Sequence, residues 1–394
     1  MSTSDPKPKQ ATPIGLPKGS TSCEVSIINC TCDLVVPPAT LIEPHIDGHE
    51  WLNLPTYAFL ITHPSGAQLL FDLGCRADWE NLVPAVSSVV AQRVPGLRVT
   101  HEVPDILTSG GIHVPSLKAL ILSHWHFDHS GNISRLSPST DLIVGPGFTA
   151  AFLPGFPQST SVFYEEDFKD RNVVEPPFSD DFMIGKYQAH DYFGDGSVYI
   201  LNVPGHTTGH ISALVRTTED TAVFMGGDVC HFTGVIRPTE FLPMPDPLPT
   251  TTVLDARLPT PCPCLTFTAC HPSQTNSRTT PFYKCSTDKT QSWYDDPQTA
   301  MESIRKLWEI DADPNILVII AHDAAPLDVL PFFPEGGTIN DWKVKGYKEK
   351  MHWHFVNELP VEGKAGRETM VDGLYKMDGE GGVKRVKNLK GEVD

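Results

Sequence analysis

Short runs of apolar and β-branched residues recur along the chain, each closed by turn residues, and this spacing predicts strands. They cover Tyr57–Thr62, Gln68–Phe71, Ala119–Leu122, Leu142–Val144, Ser197–Val203, Ser212–Val215, Ala222–Met225 and Ile316–Ile320, with order beginning at Cys23–Ile28. Helical patterning is expected over Trp79–Arg93, around Ile133–Leu136 and over Pro297–Glu309, where Ala300, Ile304, Leu307 and Trp308 recur behind a proline start. Strands alternating with helices in both halves point to an α/β layered domain.

Three segments break the pattern. Residues 1–20 are polar and rich in Pro, Lys and Ser, and they read as a disordered leader because they carry too little apolar surface to offset the entropy of ordering. Residues 237–294 hold a dense scatter of Pro, Thr and Ser, yet also Phe241, Phe267, Phe282, Tyr283 and Trp293, which favours an ordered covering insertion over a bare linker. Residues 375–394 are expected to form a flexible C-terminal tail. One domain over residues 21–374, with its insertion, then accounts for most of the 394 residues.

Charge narrows the function. Thirty Lys and Arg against 48 Asp and Glu give a net charge of −18, and the only basic run is short, near Lys384–Lys390. A nucleic-acid partner is therefore not expected. No apolar stretch is long enough for a membrane span or signal peptide, so a cytoplasmic protein is expected. Its nine scattered cysteines are read as reduced thiols, Cys230, Cys262 and Cys264 among them as packing residues. The state expected is a monomer or homodimer.

The densest chemistry is Leu122-Ser-His124-Trp-His126-Phe-Asp128-His129-Ser-Gly131, directly after an apolar run. Three imidazoles and a carboxylate in six residues are the N and O donors that a borderline cation such as Zn²⁺ takes. A chance cluster of surface histidines is the alternative, but four donors in one window is denser than chance supplies. Further candidates each follow a predicted strand: His206 and His210 in Val203-Pro-Gly-His-Thr-Thr-Gly-His210, Asp228 after Ala222–Met225, and His322 after Leu317–Ile320. Loops leaving several strands can converge at one rim of a sheet, as a metal site requires.

In this order, H-x-H-x-D-H, His, Asp and His, together with the early Asp72-Leu-Gly74, resemble the metallo-β-lactamase superfamily over nearly all of Tyr57 to Asp323. The resemblance implies a four-layer αββα sandwich with two metal ions at one edge of its sheets, usually two Zn²⁺, with Mn, Co or Fe accepted by the same donors. It places His124, His126 and His206 on the first ion, Asp128, His129 and His322 on the second, and Asp228 between them. Asp72 would orient ligands without being one, and His210 is read as a hydrogen-bonding partner.

Within the superfamily the resemblance is to the N-acyl-homoserine lactonase branch, through Asp296–Leu307 and Val318–Asp323. Pro281-Phe-Tyr283, Ile339-Asn-Asp-Trp342 and Trp353 look more like fungal relatives that open lactone or lactam rings. The bacterial lactonases carry a Tyr three residues after the bridging Asp, where this chain has His231, so the carbonyl contact is assigned to His231 or to Tyr283. The expected reaction is opening of a small neutral cyclic ester or amide, xenobiotics of the benzoxazolinone type included, by a hydroxide held between two ions, with Asp128 or a metal-bound water protonating the leaving group. A thioesterase acting on carrier-bound acyl chains and a non-catalytic metal-binding protein stay open as alternatives.

Overall fold

A computed structural model describes residues 5–379 and 382–393. Among the described residues seventeen strands are defined. The first eight are β1 (Glu24–Val36), β2 (Ile42–Glu43), β3 (Leu52–Thr62), β4 (Gln68–Phe71), β5 (Gly96–Val99), β6 (Ala119–Ile121), β7 (Asp141–Ile143) and β8 (Val173–Val174). There follow β9 (Met183–Ile184), β10 (Tyr187–Asp191), β11 (Val198–Asn202), β12 (Ile211–Arg216), β13 (Ala222–Met225), β14 (Lys284–Cys285), β15 (Ile316–Ile319), β16 (Gly373–Met377) and β17 (Val383–Asn388). One sheet runs β17-β16-β5-β1-β3-β4-β6-β7-β8 and a second runs β15-β13-β12-β11-β10-β9.

Strand alternation divides the core into two layers. On β3, Tyr57, Phe59 and Ile61 turn one way and Ala58 and Leu60 the other; on β11, Val198 and Ile200 oppose Tyr199 and Leu201. The first sets meet between the sheets, with Phe71, Ile121, Val223 and Ile319, in a dry sandwich. The second sets face helices, among them Pro84–Arg93, through Val86 and Val90, and Pro297–Ala312, through Ala300, Ile304, Leu307 and Ile310. Helix, sheet, sheet and helix are the four layers expected. The Pro297–Ala312 helix is longer than its predicted span, and Asp296 caps it through the Thr299 N–H at 3.1 Å. No helix among the described residues is long and apolar enough to cross a membrane.

Two terminal segments differ from expectation over their described residues; residues 1–4 of the leader and 380, 381 and 394 of the tail lie outside these. Residues 5–20 form no helix or strand, yet the segment is tied down: Thr12 N donates to Glu309 at 2.7 Å, Arg216 Nη2 donates to Pro17 O at 2.6 Å, and Ile14 is buried. Its partners lie some 200 or more residues away along the chain, beyond the reach of local composition. The expected flexible tail contains a β-hairpin instead, β16 joining β5 in parallel and β17 closing the edge, with Trp79 Nε1 donating to Tyr375 O at 2.7 Å. Val383 and Val386 stand three residues apart with Lys384 and Arg385 between them, so no period-two alternation marks this strand in the sequence.

The insertion is anchored at its start. Arg237 forms a bidentate pair with Asp311, Nε to Oδ2 at 2.8 Å and Nη2 to Oδ1 at 2.7 Å, with both side chains buried. Lys348 Nζ donates to the carbonyls of Asp311, Asp313 and Ile316, closing the C-terminus of the same helix. Burial tends to raise the Asp311 pKa, but the Arg237 charge and its hydrogen bonds outweigh this and hold it well below the carboxylate range. Asp311→Asn is expected to destabilise the fold by about 3–5 kcal/mol in urea unfolding, because it leaves Arg237 buried with its charge uncompensated; a loss under about 1 kcal/mol would contradict this.

Candidate metal centre

Each candidate donor leaves the end of a strand, and both sheets contribute. From the first sheet, Asp72 follows β4 and Ser123 to His129 follow β6; from the second, His206 follows β11, Asp228 follows β13 and His322 follows β15. Two glycines permit the convergence. Gly227, at φ +51°, puts its missing Cβ 2.8 Å from Ser123 Cβ, and Gly205, at φ +124°, passes so close to the Pro297–Ala312 helix that a Cβ would lie 2.1 Å from Ala300 N.

Asp228 lies at the centre. Its Oδ2 is 3.4 Å from His124 Nε2 and 3.3 Å from His206 Nε2, while its Oδ1 is 3.1 Å from His129 Nε2 and 3.2 Å from His322 Nε2. The two oxygens thus face two separate sets of nitrogens. His126 Nδ1 joins the first set, 3.0 Å from His206 Nε2, and Asp128 Oδ2 joins the second, 3.6 Å from His129 Nε2 and 3.5 Å from His322 Nε2. The donors of His124, His126, His206 and Asp228 all lie within 4.8 Å of one another, as do those of Asp128, His129 and His322.

The donors fit a metal ion. Ligands about 2.0–2.1 Å from one ion at tetrahedral angles sit about 3.3 Å apart, close to the 3.1–3.4 Å that separates Asp228 from these nitrogens. His124 Nε2, His129 Nε2 and Asp228 Oδ1 are buried and, despite their close neighbours, have no partner of hydrogen-bonding geometry, so three polar atoms face the centre of the cluster unsatisfied by the protein. Burial holds His124 and His206 well below the usual histidine range and lowers His126 to about 3, leaving them neutral as ligation requires. Burial also opposes protonation of His129, but Asp228, Asp128 and Asp72 outweigh it and raise its pKa well above that range.

The rings are held from behind. His129 Nδ1 donates to Asp72 Oδ2 at 2.8 Å, and His322 Nδ1 donates to Pro55 O at 2.8 Å. Asp72 also receives Ser123 N at 2.7 Å and Ser123 Oγ at 2.8 Å, and it does so from a left-handed backbone, φ +60°, uncommon for a residue with a Cβ. His210 bridges Val203 O, at 2.8 Å, and the Asp228 N–H, at 3.0 Å, with both its nitrogens engaged. Cys230 is buried two residues past Asp228, and burial pushes its thiol pKa up.

Of the two residues offered for the carbonyl contact, only His231 lies in the cluster. Its Nε2 is 3.1 Å from Asp228 Oδ2 and its Nδ1 is 2.9 Å from the Tyr294 hydroxyl. Tyr283 is not brought there: its hydroxyl is 2.6 Å from His49 Nδ1 and its ring packs edge-on against Phe232. A pocket of about 310 Å³ opens onto His126 and Asp128, walled by Val86, Val89, Trp125, Val162, Trp293 and Tyr294. Sequence reasoning missed Tyr294. Its one signal was position, at the insertion's end just before the Asp296 cap, where Asp295 N and Asp296 N donate to His206 O and Gly205 O at 2.8 and 3.0 Å.

Comparison with known proteins agrees with this architecture. The model of the metallo-beta-lactamase superfamily matches residues 51–227. Over 363 residues the chain is 38% identical to the gamma-lactamase FDB1 of Fusarium pseudograminearum, covering 88% of this chain and 85% of that one. Over 369 residues it is 38% identical to the metallo-hydrolase mfmC of Annulohypoxylon moriforme, covering 91% and 93%. A solved structure of a B. thuringiensis AiiA variant, with N-decanoyl-L-homoserine bound at its active site, aligns at a TM-score of 0.51 and 17% identity over 80% of this chain and 98% of that one, which shows a common fold. By its convergent His and Asp donors and by these relatives, the chain belongs to the metallo-beta-lactamase superfamily and is a metallo-hydrolase.

Proposed function

We propose that the centre holds two divalent ions, zinc by default, and hydrolyses the ring amide or ester of a small neutral molecule. Asp228 carries this reading, because its two oxygens face two donor sets, His124, His126 and His206 on one side and Asp128, His129 and His322 on the other. When bound, such ions polarise a carbonyl oxygen and bring the pKa of water toward neutrality. The name of the Fusarium relative supports a cyclic amide as substrate.

The chain's own residues do the rest. Asp128 is both in the second donor set and on the pocket wall, so its carboxylate can take the proton of the attacking water and return it to the ring nitrogen or oxygen as the ring bond breaks. His231 lies between Asp228 and Tyr294, its Nε2 3.1 Å from Asp228 Oδ2 and its Nδ1 2.9 Å from the Tyr294 hydroxyl, so it acts on the substrate through these neighbours. Trp125, Trp293, Val86 and Val89 give the ring an apolar surface and exclude water. A pocket of about 310 Å³ is the size of a small ring and gives little support to a carrier-bound chain.

Zinc-loaded protein is expected to open members of a panel containing 2-pyrrolidinone, 2-benzoxazolinone and dihydrocoumarin. A chelator should abolish the activity and zinc restore it, and Asp128→Asn should lower kcat by about 10²–10⁴-fold. No zinc-dependent opening of any lactam or lactone would sink the proposal. Asp72→Asn removes the negative charge facing His129 Nδ1 and leaves one acceptor oxygen where two now serve, and zinc affinity measured by equilibrium dialysis should fall about 10–100-fold; unchanged affinity would show that Asp72 does not act through the metal site.

A further inference from the structure

Resting on the hydrolytic reading of this centre, we propose that Tyr294 is a catalytic residue: its phenolic O–H donates to the oxygen that becomes negative when the ring carbonyl is attacked. His231 is the positioning residue that keeps that proton free for the substrate.

Tyr294 is fixed where such a donor is needed. The backbone that follows it is bonded to the loop carrying His206, and its ring meets His206 edge-on, centroids 5.1 Å apart, and His231 at 5.2 Å. The residue is buried, yet it lines the pocket beside His126 and Asp128. It comes from the end of the insertion, far in sequence from the position after Asp228 that His231 occupies.

The proton's direction follows from the tautomer of His231. With the proton on Nε2, that nitrogen would donate to Asp228 Oδ2, 3.1 Å away, and Nδ1 would consume the Tyr294 proton, 2.9 Å away. The phenol could then offer a substrate only a lone pair. With the proton on Nδ1, the imidazole donates to the phenolic oxygen and the O–H is free to turn to the pocket. The neighbours take the second form: His129 and His322 hand their Nδ1 protons to Asp72 and Pro55 and turn Nε2 toward Asp228. His231 lies parallel to His322, planes 9° apart, and the donor atoms of Asp228, His231 and His322 lie within 4.8 Å of one another. A cation beside Asp228 therefore favours a bare Nε2 on His231 and a free proton on Tyr294.

In the step itself, the carbonyl π pair moves onto oxygen as the carbon–oxygen bond from water forms, and Tyr294 donates a hydrogen bond without losing its proton. When the adduct collapses, the ring bond to nitrogen or oxygen breaks and the leaving atom takes the proton released by the water. No other reactant is required.

The test compares zinc-loaded wild type, Tyr294→Phe and Tyr283→Phe. Tyr294→Phe should lower kcat on the best ring substrate by about 10²–10³-fold, with KM within threefold and zinc content unchanged. Tyr283→Phe should retain wild-type kcat. Phenylphosphonate, a tetrahedral oxyanion, should bind zinc-loaded Tyr294→Phe at least tenfold more weakly by calorimetry, and ¹⁵N-histidine spectra of the zinc-loaded wild type should show His231 protonated at Nδ1. Wild-type kcat or undiminished phosphonate binding in Tyr294→Phe, or a proton on His231 Nε2, would overturn the proposal. Should wild type open no ring at all, the hydrolytic reading fails separately, and phosphonate binding and the tautomer still decide whether Tyr294 is an oxyanion donor.

Discussion

One buried carboxylate organises this molecule. Asp228 is within 3.4 Å of a nitrogen from each of five histidines, His124, His129, His206, His231 and His322, in a place water hardly reaches. A charge so placed is costly unless compensated on every side. The burial that tends to raise its pKa is outweighed by the surrounding imidazoles, which hold it well below the carboxylate range. Much of the surrounding structure serves this arrangement: Gly227 gives the turn its room, His210 accepts the Asp228 N–H, and Asp72 accepts a strained backbone to hold His129 from behind.

The insertion is joined to the same centre. It is anchored by Arg237 on Asp311 at one end and by backbone bonds to the His206 loop at the other, and between them β14 pairs with β2. Its last aromatics, Trp293 and Tyr294, become pocket walls, so the segment that lacks a regular pattern contributes directly to what the site can bind. The Pro297–Ala312 helix couples the two ends, since Asp311 lies in its last turn and Asp296 caps its start.

Legibility followed locality. The strand runs and H-x-H-x-D-H were readable because period-two alternation and tight donor spacing are properties of a few neighbouring residues. The leader, the C-terminal hairpin and Tyr294 were not, because each depends on partners distant in sequence: Glu309 for Thr12, Leu97 for Leu374, and His231 for Tyr294. Tyr283 was the converse error. Its position in an aromatic motif suggested a role at the centre, whereas His49, with no recognisable motif of its own, takes its hydroxyl.

The central claim is that Asp228 divides its donors between two ions. Anomalous scattering from crystals of the zinc-loaded protein, recorded on both sides of the zinc edge, tests it most directly. The account predicts two peaks about 3.5–4 Å apart with the Asp228 carboxylate between them, one against His124, His126 and His206 and the other against Asp128, His129 and His322. A single peak at full zinc loading, or a peak away from Asp228, would contradict it.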